Sequence, residues 1–539
     1  MKKLLAKICA VVLVLTMAFP GSGVFAATKK VDVNAGDYAG KTIILHSNDV
    51  HGVIESYTYI AGMKSYYESL GAEVILADCG DFSQGTTFVS VGKGKNGVTM
   101  MNAVGYDLAI PGNHEFDYGW AQLKKNIKKA KFKMLCADVF DSKGKTIYDA
   151  STVWTTKSGV KIGFFGLETP ETQTKVNPGL IKGLKFVQGA ELYSTAQAVV
   201  DDLREKSDLV ICLAHLGVDA ESIPNTSVDL YKNTEGIDLI LDGHSHTVMT
   251  EGPEGEPIQS TGTKFAYVGR VVIDDATKTI ESRNLIPITE FTPVSNSVTK
   301  RAGKIVNSIN EKYGAVFAKS EVTLNGDKAP GNRTQETNMG DLICDAILWS
   351  VQKVENSITV DSDHVIAITN GGGIRAGIGI GDVTMKDINT VLPFGNTVAV
   401  VYVTGSQLLE ALEASTYSTP EAVGGFPQVS GIKYTINTQK KFAEGDLYPA
   451  STYHAPKKIR RVTINEINGK KFNKKDTYAV VTNNFITAGG DTYYVFGSST
   501  DQFDTGIVMD EAVVDYIGTV LGGVIGSDYA EPQGRIIIK

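Results

Sequence analysis

Short apolar runs and longer segments of mixed polarity alternate in the first half of the chain. The runs are Thr42–Leu45, Val74–Ala77, Leu108–Ile110, Lys161–Leu167, Leu209–Ala214 and Leu239–Leu241. Because the runs are apolar throughout and helical or loop segments separate them, they predict strands of a sheet that is covered on both faces. Each run ends in a polar loop that contains glycine, and loops at the carboxyl ends of such strands are where sites are usually built.

The pattern changes towards residue 295. Apolar residues then recur at helical spacing, with lysine and glutamate between them, and predict an amphipathic helix that connects two domains. These positions are Val298, Ala302, Ile305, Ile309 and Tyr313. After Glu321 the pattern is that of an α+β domain, with a helix near Met339–Val354 and strands near Val365–Thr369 and Ala399–Val403.

Length and composition agree with this division. A chain of 539 residues is too long for one compact core, so two domains are expected. The content is 42% hydrophobic and 21% charged, which is typical of a soluble globular protein. The net charge of −8 comes without a basic stripe, which argues against a nucleic-acid polymer as partner. Small anions remain suitable ligands, since a few cations in a cleft act locally.

The first 26 residues have the pattern of a secretory signal peptide. Lys2, Lys3 and Lys7 precede an apolar run at Ile8–Phe19, and Val24-Phe25-Ala26 forms a small-residue cleavage site. The run is too short to cross a bilayer comfortably. We therefore expect a secreted or cell-surface protein without a transmembrane anchor. Removal of the three lysines would take the net charge from −8 to −11.

Four cysteines follow this segment, and none lies in a CxxC pattern. They are Cys79, Cys136, Cys212 and Cys344. Their apolar surroundings favour buried free thiols and exclude a cysteine-rich zinc site.

Polar clusters after the predicted strands carry the candidate chemistry, and they contain five of the eight histidines. The clusters are Asn48-Asp49-Val50-His51-Gly52, Gly80-Asp81, Gly112-Asn113-His114-Glu115-Phe116-Asp117, Ala214-His215 and Asp242-Gly243-His244-Ser245-His246. Imidazole together with carboxylate suits zinc, manganese and similar divalent ions. A carboxylate such as Asp81 can bridge two ions, as in centres whose metals lie roughly 3.5–4 Å apart. His46 lies inside a predicted strand and is assigned to structure or to the support of the metal ligands, not to metal binding itself.

The five clusters, in this order, resemble the calcineurin-like metallophosphatases. In detail they resemble the secreted 5′-nucleotidase and UDP-sugar hydrolase family, and the resemblance extends from about Thr42 to the C-terminus. It implies a four-layer αββα phosphatase domain at 40–293, a linker helix at 295–319 and an α/β nucleotide-binding domain at 320–539. It also implies that the second domain rotates between open and closed arrangements.

The same resemblance implies two divalent ions, with zinc or manganese favoured and cobalt compatible. One ion would be held by Asp49, His51, Asp81 and His246, and the other by Asp81, Asn113, His215 and His244. His114 and Asp117 would form the catalytic dyad, in which the histidine stabilises the phosphoryl group or protonates the leaving oxygen.

The second domain supplies candidate substrate ligands. Asn370-Gly371-Gly372-Gly373-Ile374-Arg375 follows a predicted strand, and its glycines and arginine could approach a phosphate closely. By resemblance, Arg333 also binds phosphate and Asp491 holds the ribose hydroxyls. Phe426 and Phe485 lie in loops rich in glycine or polar residues and would stack on the nucleobase. Stacking of this kind predicts weak discrimination between bases.

The favoured function is a secreted 5′-nucleotidase that acts on a small-molecule nucleotide. UDP-sugar hydrolysis and 2′,3′-cyclic nucleotide phosphodiesterase activity would use the same groups, and the sequence does not separate them. A more distant group of related proteins acts on sulfur compounds. Membership of that group is disfavoured, because Phe426, Phe485 and Asp491 are all present. A non-catalytic nucleotide-binding surface protein would show a lost metal ligand, and none is missing. The oligomeric state is left open.

Overall fold

The computed structural model describes residues 36–290, 294–352 and 358–539. The predicted signal peptide lies outside the described residues. No helix within the described ranges combines the length and the apolar content that crossing a bilayer requires.

Two six-stranded sheets form the first domain. In the first sheet the strands lie in the order Thr279–Pro287, Tyr267–Asp274, Lys41–Ser47, Glu73–Asp78, Leu108–Ala109 and Lys133–Met134. In the second sheet the order is Val248–Met249, Ile258–Thr261, Leu239–Leu241, Leu209–His215, Lys161–Glu168 and Ser151–Thr155. All six runs predicted as strands are found here, three in each sheet, and each group of three pairs in parallel.

The two sheets pack face to face with helices outside them. Ile44 and Ile75 of the first sheet share an apolar cluster with Phe164 and Leu213 of the second. The alternate strand residues point outward and pack against helices, as with Leu45 in the first sheet. The helices of this domain are Tyr57–Ser69, Thr87–Ser90, Lys95–Val104, Trp120–Ile127, Thr172–Lys175, Ala190–Arg204 and Ser227–Lys232. The result is the expected four-layer αββα arrangement.

A helix at Asn296–Tyr313 follows the first domain. Its buried residues Val298 and Ala302 belong to the same apolar cluster as Tyr57 and Leu45. The helix predicted to connect the domains therefore packs on the first domain through its apolar face, which its period-3.6 pattern provides.

The second domain is centred on a five-stranded sheet. The strand order is Pro427–Ser430, Val365–Asn370, Thr477–Asn483, Thr397–Thr404 and Gln502–Val508. Two three-stranded sheets flank it, with the orders Gly381–Thr384, Val316–Ser320, Val524–Ile525 and Val462–Ile467, Ile432–Ile436, Ile536–Ile538. Its helices are Asn338–Val351, Met385–Val391, Gly405–Ser415, Asn484–Thr487, Tyr494–Gly497 and Met509–Thr519. The first of these is preceded by Thr337, whose side chain accepts the Gly340 N–H as an N-cap.

Smaller elements complete the chain. Two-stranded pairs join Val139–Phe140 to Lys185–Phe186 and Glu444–Leu447 to His454–Pro456. Single 3₁₀ turns lie at Ile54–Ser56, Asn113–Glu115, Pro178–Leu180, Ala220–Ser222, Ile288–Glu290, Ser362–His364, Gly371–Gly373 and Ser527–Tyr529. The four cysteines are buried and free, as predicted.

Hydrogen bonds join the two domains. The Thr87 hydroxyl donates to the Lys386 carbonyl at 3.0 Å. The Asp491 N–H donates to the Thr174 carbonyl at 2.6 Å. A cavity of about 460 Å³ lies between the domains and is lined by residues of both, including Asp491.

Candidate active site

The predicted metal ligands follow strands at one edge of the paired sheets. Asp49 and Asp81 come after neighbouring parallel strands of the first sheet, and Asn113 lies in the turn after the next strand. His215 ends a strand of the second sheet, and His244 follows the strand beside it. Since carboxyl ends of parallel strands meet at one edge, the topology brings residues that are distant in sequence together.

The backbone at these positions is unusual. Five of the seven predicted ligands adopt a positive φ between 46° and 75°. They are Asp49, His51, Asp81, His244 and His246. Left-handed conformations are unfavourable for residues other than glycine and cluster at functional sites, where the surrounding structure enforces them.

One group of candidate ligands contains Asp49, His51 and His246, whose ligand atoms all lie within 4.8 Å of one another. His246 Nε2 lies 3.4 Å from Asp49 Oδ1 and 2.9 Å from His51 Nε2. His51 Nε2 also lies 3.8 Å from Asp81 Oδ2. The donor atoms therefore converge on a single point, as a coordination shell requires.

A second group contains Asp49, Asp81 and His215. His215 Nδ1 lies 2.6 Å from the Cys79 carbonyl, to which it donates. In the neutral ring this leaves a lone pair on Nε2, which faces Asp81 Oδ2 at 3.3 Å. A proton or a metal ion between these two atoms would stabilise this contact. A hydrogen bond from the second ring nitrogen to a carbonyl is also the usual support of a metal-binding histidine.

Two buried atoms of the candidate donor set fit a site for a metal ion. Asp49 Oδ1 and His215 Nε2 have no hydrogen-bond partner among the described residues. Such atoms are rare because burial without a partner is unfavourable. Although burial opposes it, the Asp81 carboxylate raises the pKa of His215 well above its usual value. The site is thus strongly attractive to positive charge.

The remaining predicted ligands lie beside this group. His244 Nδ1 lies 3.0 Å from Asn113 Oδ1. His244 Nε2 lies 2.9 Å from Glu171 Oε2, a carboxylate that the sequence reasoning missed. Glu171 lies in the loop after Lys161–Glu168, so its position at the carboxyl end of a parallel strand was the available signal.

His114 and Asp117 are in contact, as the resemblance implied. His114 Nδ1 lies 2.7 Å from Asp117 Oδ2, and the His114 N–H donates to Asp81 Oδ1 at 2.9 Å. The ring is therefore oriented by one carboxylate while its backbone is fixed to another. His114 also lines the cavity between the domains.

Glu115 is a second residue that the sequence reasoning did not assign. Its buried carboxylate accepts four backbone N–H groups from two loops, at 2.7 to 3.0 Å. The donors are Asp81, Phe82, Ser83 and Gly112. Burial and the nearby Asp81 raise the pKa of Glu115 to about 8. Glu115 thus ties the Asp81 loop to the His114 loop. His46 is buried within its strand beside Gln259 and holds a structural position.

Two arginines of the second domain line the cavity opposite the metal ligands. They are Arg333 and Arg375, and neither forms an ion pair with any residue that the structure describes. Burial and the neighbouring Arg333 lower the pKa of Arg375 to about 10. Paired guanidinium groups without carboxylate partners favour binding of a multiply charged anion.

Phe426 does not lie in the cavity of this structure, and its contact with the base stays a prediction. Its ring is fully buried, does not line the cavity and packs in the apolar cluster that contains Val429 and Tyr493. The aromatic rings that line the cavity, besides those of histidines, belong to Tyr118, Phe394 and Phe485. The Phe394 ring lies 5.7 Å from the His114 ring and 5.9 Å from the Arg375 guanidinium carbon.

The glycine-rich loop lines the cavity, but two of its amides are already used. The Gly371 and Gly372 N–H groups donate to the Phe426 and Gly424 carbonyls, each at 2.7 Å. Gly371 also approaches the Asn332 carbonyl so closely that a Cβ has no room. These glycines therefore bring two loops together and do not offer those amides to an anion.

Asn370 and Asp491 form the far wall of the cavity. Asn370 Nδ2 donates to Asp491 Oδ2 at 2.8 Å. Asp491 has a positive φ of 49°, so its carboxylate is held in an enforced conformation.

This combination defines a class of protein. A cluster of aspartate and histidine at sheet ends, a histidine–aspartate pair and two cavity arginines together suit metal-assisted hydrolysis of a phosphoester. The αββα domain that carries the metal ligands is the domain of a metallophosphoesterase.

Comparison with known protein families supports this class in both domains. Residues 42–248 match the calcineurin-like phosphoesterase family, and residues 316–498 match the 5′-nucleotidase C-terminal domain. The chain belongs to the 5′-nucleotidase family, with a calcineurin-like phosphoesterase domain followed by the 5′-nucleotidase C-terminal domain. The family is one of metal-dependent phosphohydrolases that act on nucleotides.

Individual relatives agree with the assignment. The chain is 28% identical to the 5′-nucleotidase of Vibrio cholerae, over 98% of each chain. It is 30% identical to the trifunctional nucleotide phosphoesterase YfkN of Bacillus subtilis, over 88% of this chain, but it spans only 33% of that protein's length. Among solved structures, a 5′-nucleotidase precursor from Thermus thermophilus is 26% identical with a TM-score of 0.74, covering 92% of this chain and 99% of that one.

Proposed function

We propose that this protein hydrolyses nucleoside 5′-monophosphates to nucleoside and phosphate, in the cavity between its domains. The observation that carries the proposal is that one cavity is lined by predicted metal ligands of the first domain and by Phe394, Phe485 and Asp491 of the second. A phosphate at one end and a nucleoside at the other would span these two groups.

The metal ligands are assigned as two sets that share Asp81. The first set is Asp49, His51, Asp81 and His246, and the second is Asp81, Asn113, His215 and His244. When bound, two divalent ions supply Lewis acidity towards the phosphoryl oxygens and activate water. Mixed nitrogen and oxygen donors suit zinc or manganese, with cobalt also accepted.

His114 is assigned as the residue that acts on the phosphoester itself. Asp117 accepts the Nδ1–H, so Nε2 of the same ring is available to the cavity. From there an imidazolium could stabilise negative charge on the phosphoryl group or give a proton to the leaving oxygen. Asp117 would hold the ring in this orientation throughout.

The second domain is assigned to substrate binding. Arg333 and Arg375 would hold the phosphate through charge-assisted hydrogen bonds. Phe394 and Phe485 would stack on the base, and each such contact is worth about 1–3 kcal/mol with little preference between bases. Asp491 would accept hydrogen bonds from the ribose hydroxyls, with Asn370 holding its carboxylate.

The domain limits and the location belong to the same proposal. We place the phosphatase domain at 40–293, the linker segment at 295–319 and the nucleotide-binding domain at 320–539. The helix in the linker segment is shorter than predicted, because it ends at Tyr313 and Val316–Ser320 is a strand that pairs with Gly381–Thr384. The pattern of residues 1–26 supports export of the mature protein from the cell. A disulfide that locked the domains apart would leave metal binding intact and abolish turnover, because each domain holds only part of the site.

Phosphate release from AMP tests the main proposal. The wild-type protein should release phosphate with added zinc or manganese and lose this activity with a chelator. Asp81→Asn should reduce the rate by about a thousandfold or more, since the shared ligand serves both ions and single electrostatic groups already contribute about 10²–10³. Asp202→Asn is a matched control, because Asp202 is exposed and pairs only with Lys206 among its neighbours in the described structure.

Normal activity of Asp81→Asn would show that the site is assigned wrongly. Absence of any phosphoester cleavage by the metal-loaded wild-type protein would refute the function itself.

A second candidate activity comes from the Bacillus subtilis relative, whose name describes three phosphoesterase functions. The same metal ligands and stacking residues would serve a 2′,3′-cyclic nucleotide or a UDP-sugar. Product analysis with AMP, UDP-glucose and a 2′,3′-cyclic nucleotide distinguishes these activities. We expect AMP to have the highest kcat/KM.

A further inference from the structure

Lys175 is a buried cation on the first domain that the proposed mechanism does not use. It ends the short helix Thr172–Lys175, and its side chain is 12% exposed and lines the cavity. Its ammonium group lies 5.7 Å from the centre of the Tyr453 ring, which belongs to the second domain. The side chain therefore reaches from one domain to the surface of the other.

Three carboxylates surround the Lys175 ammonium group. Glu221 Oε1 lies at 3.3 Å, Glu171 Oε2 at 3.8 Å and Asp491 Oδ1 at 4.0 Å. Glu171 and Glu221 belong to the first domain, and Asp491 belongs to the second. Burying this group of acids without a cation would be strongly unfavourable. It would also place uncompensated negative charge beside an anionic substrate.

Asp491 is in contact with residues of both domains. Its N–H donates to the carbonyl of Thr174, the residue before Lys175, at 2.6 Å. One carboxylate oxygen accepts from Asn370 of its own domain, while the other faces Lys175. The backbone and side chain of Asp491 are thus fixed by two consecutive residues of the opposite domain.

We propose that Lys175 is a positioning residue for nucleoside recognition, which orients the Asp491 carboxylate only when the two domains are docked. This inference rests on the proposed function, in which Asp491 binds ribose. It makes ribose binding depend on a residue of the domain that carries the metal ligands. The Asp491 carboxylate is then oriented for ribose binding by the same domain docking that completes the active site.

A double-mutant cycle with Lys175→Met and Asp491→Asn tests the inference in the full-length, metal-loaded protein. Lys175→Met should raise KM for AMP about tenfold in the wild-type background and less than about twofold in the Asp491→Asn background, as expected for residues that act as a coupled pair. The value of kcat should change by less than about twofold, because the metal ligands remain in place. Lys175→Arg, which keeps the charge, should restore most of the loss.

Adenosine binding provides a readout that does not depend on turnover. Calorimetry should show about tenfold weaker adenosine binding for Lys175→Met, and the loss should again disappear in the Asp491→Asn background. Lys328→Met is the matched control, since Lys328 also lines the cavity and pairs across the domains with Asp219 at 3.4 Å. Its effect should be additive with Asp491→Asn.

Equal effects of Lys175→Met in both backgrounds would overturn the inference. A fall in kcat for 4-nitrophenyl phosphate, which lacks ribose, would also overturn it, since Lys175 would then act on the metal side through Glu171. If Lys175→Met does not fold, the same cycle is run with Lys175→Gln, which removes the charge but keeps a polar side chain, and failure of this variant to couple to Asp491 is decisive. Failure of the proposed function would look different, because the wild-type protein would then cleave neither substrate.

Discussion

The two sides of the cavity are built in different ways. On the first domain, the predicted metal ligands Asp49 and His215 are fully buried at sheet ends, and the positive φ of Asp49 is enforced by its surroundings. On the second domain, Arg375 and Phe394 are only half-buried. They lie on two different loops, and the Arg375 N–H donates a hydrogen bond to the carbonyl of Val391, the last helix residue before the second loop. The first side is therefore complete within one domain. The substrate-binding residues of the second domain can contribute to hydrolysis only when they face the metal ligands of the first domain.

This contrast predicts different consequences of mutation. Substitution of a residue that supports the metal ligands should displace several ligands at once, because Glu115 alone accepts hydrogen bonds from four backbone N–H groups. Changes on the second domain should weaken substrate binding one contact at a time. The following variants test this difference from the largest effect to the smallest.

Glu115→Gln should have the largest effect of these variants. The carboxylate accepts the Asp81 and Gly112 N–H groups at 2.7 Å each, whereas glutamine offers one acceptor oxygen and turns an amide donor towards N–H groups. Metal affinity should fall about 10–100-fold, as is usual when residues that support metal ligands are changed. Calorimetric titration with zinc or manganese measures the loss directly.

Glu205→Gln serves as the control, because Glu205 is exposed and lies at the end of the helix Ala190–Arg204. Unchanged metal affinity in Glu115→Gln would mean that the two loops keep their positions without the carboxylate. The proposal that a single substitution on the first domain displaces several metal ligands would then be wrong.

Much of the metal side could be predicted from sequence. Asp81 and His215 follow continuous apolar runs, and parallel pairing brings the ends of such runs to one edge. Glu171 and Glu115 were missed because they support other residues, and support requires distances that a linear pattern does not contain. Glu115, for example, lies 34 residues from its partner Asp81.

The substrate side was harder to predict, as the two phenylalanines show. Phe426 follows two glycines, which suggested an exposed ring, yet strand pairing places it in the apolar core. Phe394 stands after Leu392 and Pro393 and resembles a core residue in sequence, yet it lines the cavity. An aromatic ring next to a turn can face either way, and only the packing of neighbouring loops decides which.

Exchange of these two rings for alanine separates substrate binding from stability. Phe394→Ala should raise KM for AMP about tenfold with little change in melting temperature, because it removes one stacking surface. Phe426→Ala should instead lower the free energy of unfolding by about 3–5 kcal/mol through a cavity in the core. Steady-state kinetics and denaturant unfolding measure the two quantities.

Phe88→Ala is a useful control for loss of a partly buried ring outside the cavity lining. A tenfold rise in KM for Phe426→Ala with unchanged stability would contradict the assignment. It would indicate that Phe426 reaches the substrate after all.

The smallest effect concerns His364, a histidine of the second domain that lies far from any predicted metal ligand in sequence. Its Nδ1 lies 2.7 Å from Asp363, and this hydrogen bond raises the pKa of His364 above its usual value. A raised pKa in the folded state means that the histidine stabilises the protein fully below its unfolded pKa, and that this contribution is lost as the pH rises through the folded pKa.

His364→Asn should therefore lower the free energy of unfolding by about 0.2–1 kcal/mol more at pH 5.5 than at pH 9, the size expected of a partly exposed ion pair. Denaturant unfolding at both pH values measures the difference, and Asp363→Asn should remove most of it. Equal losses at the two pH values would show that only ring packing on Tyr478 is involved.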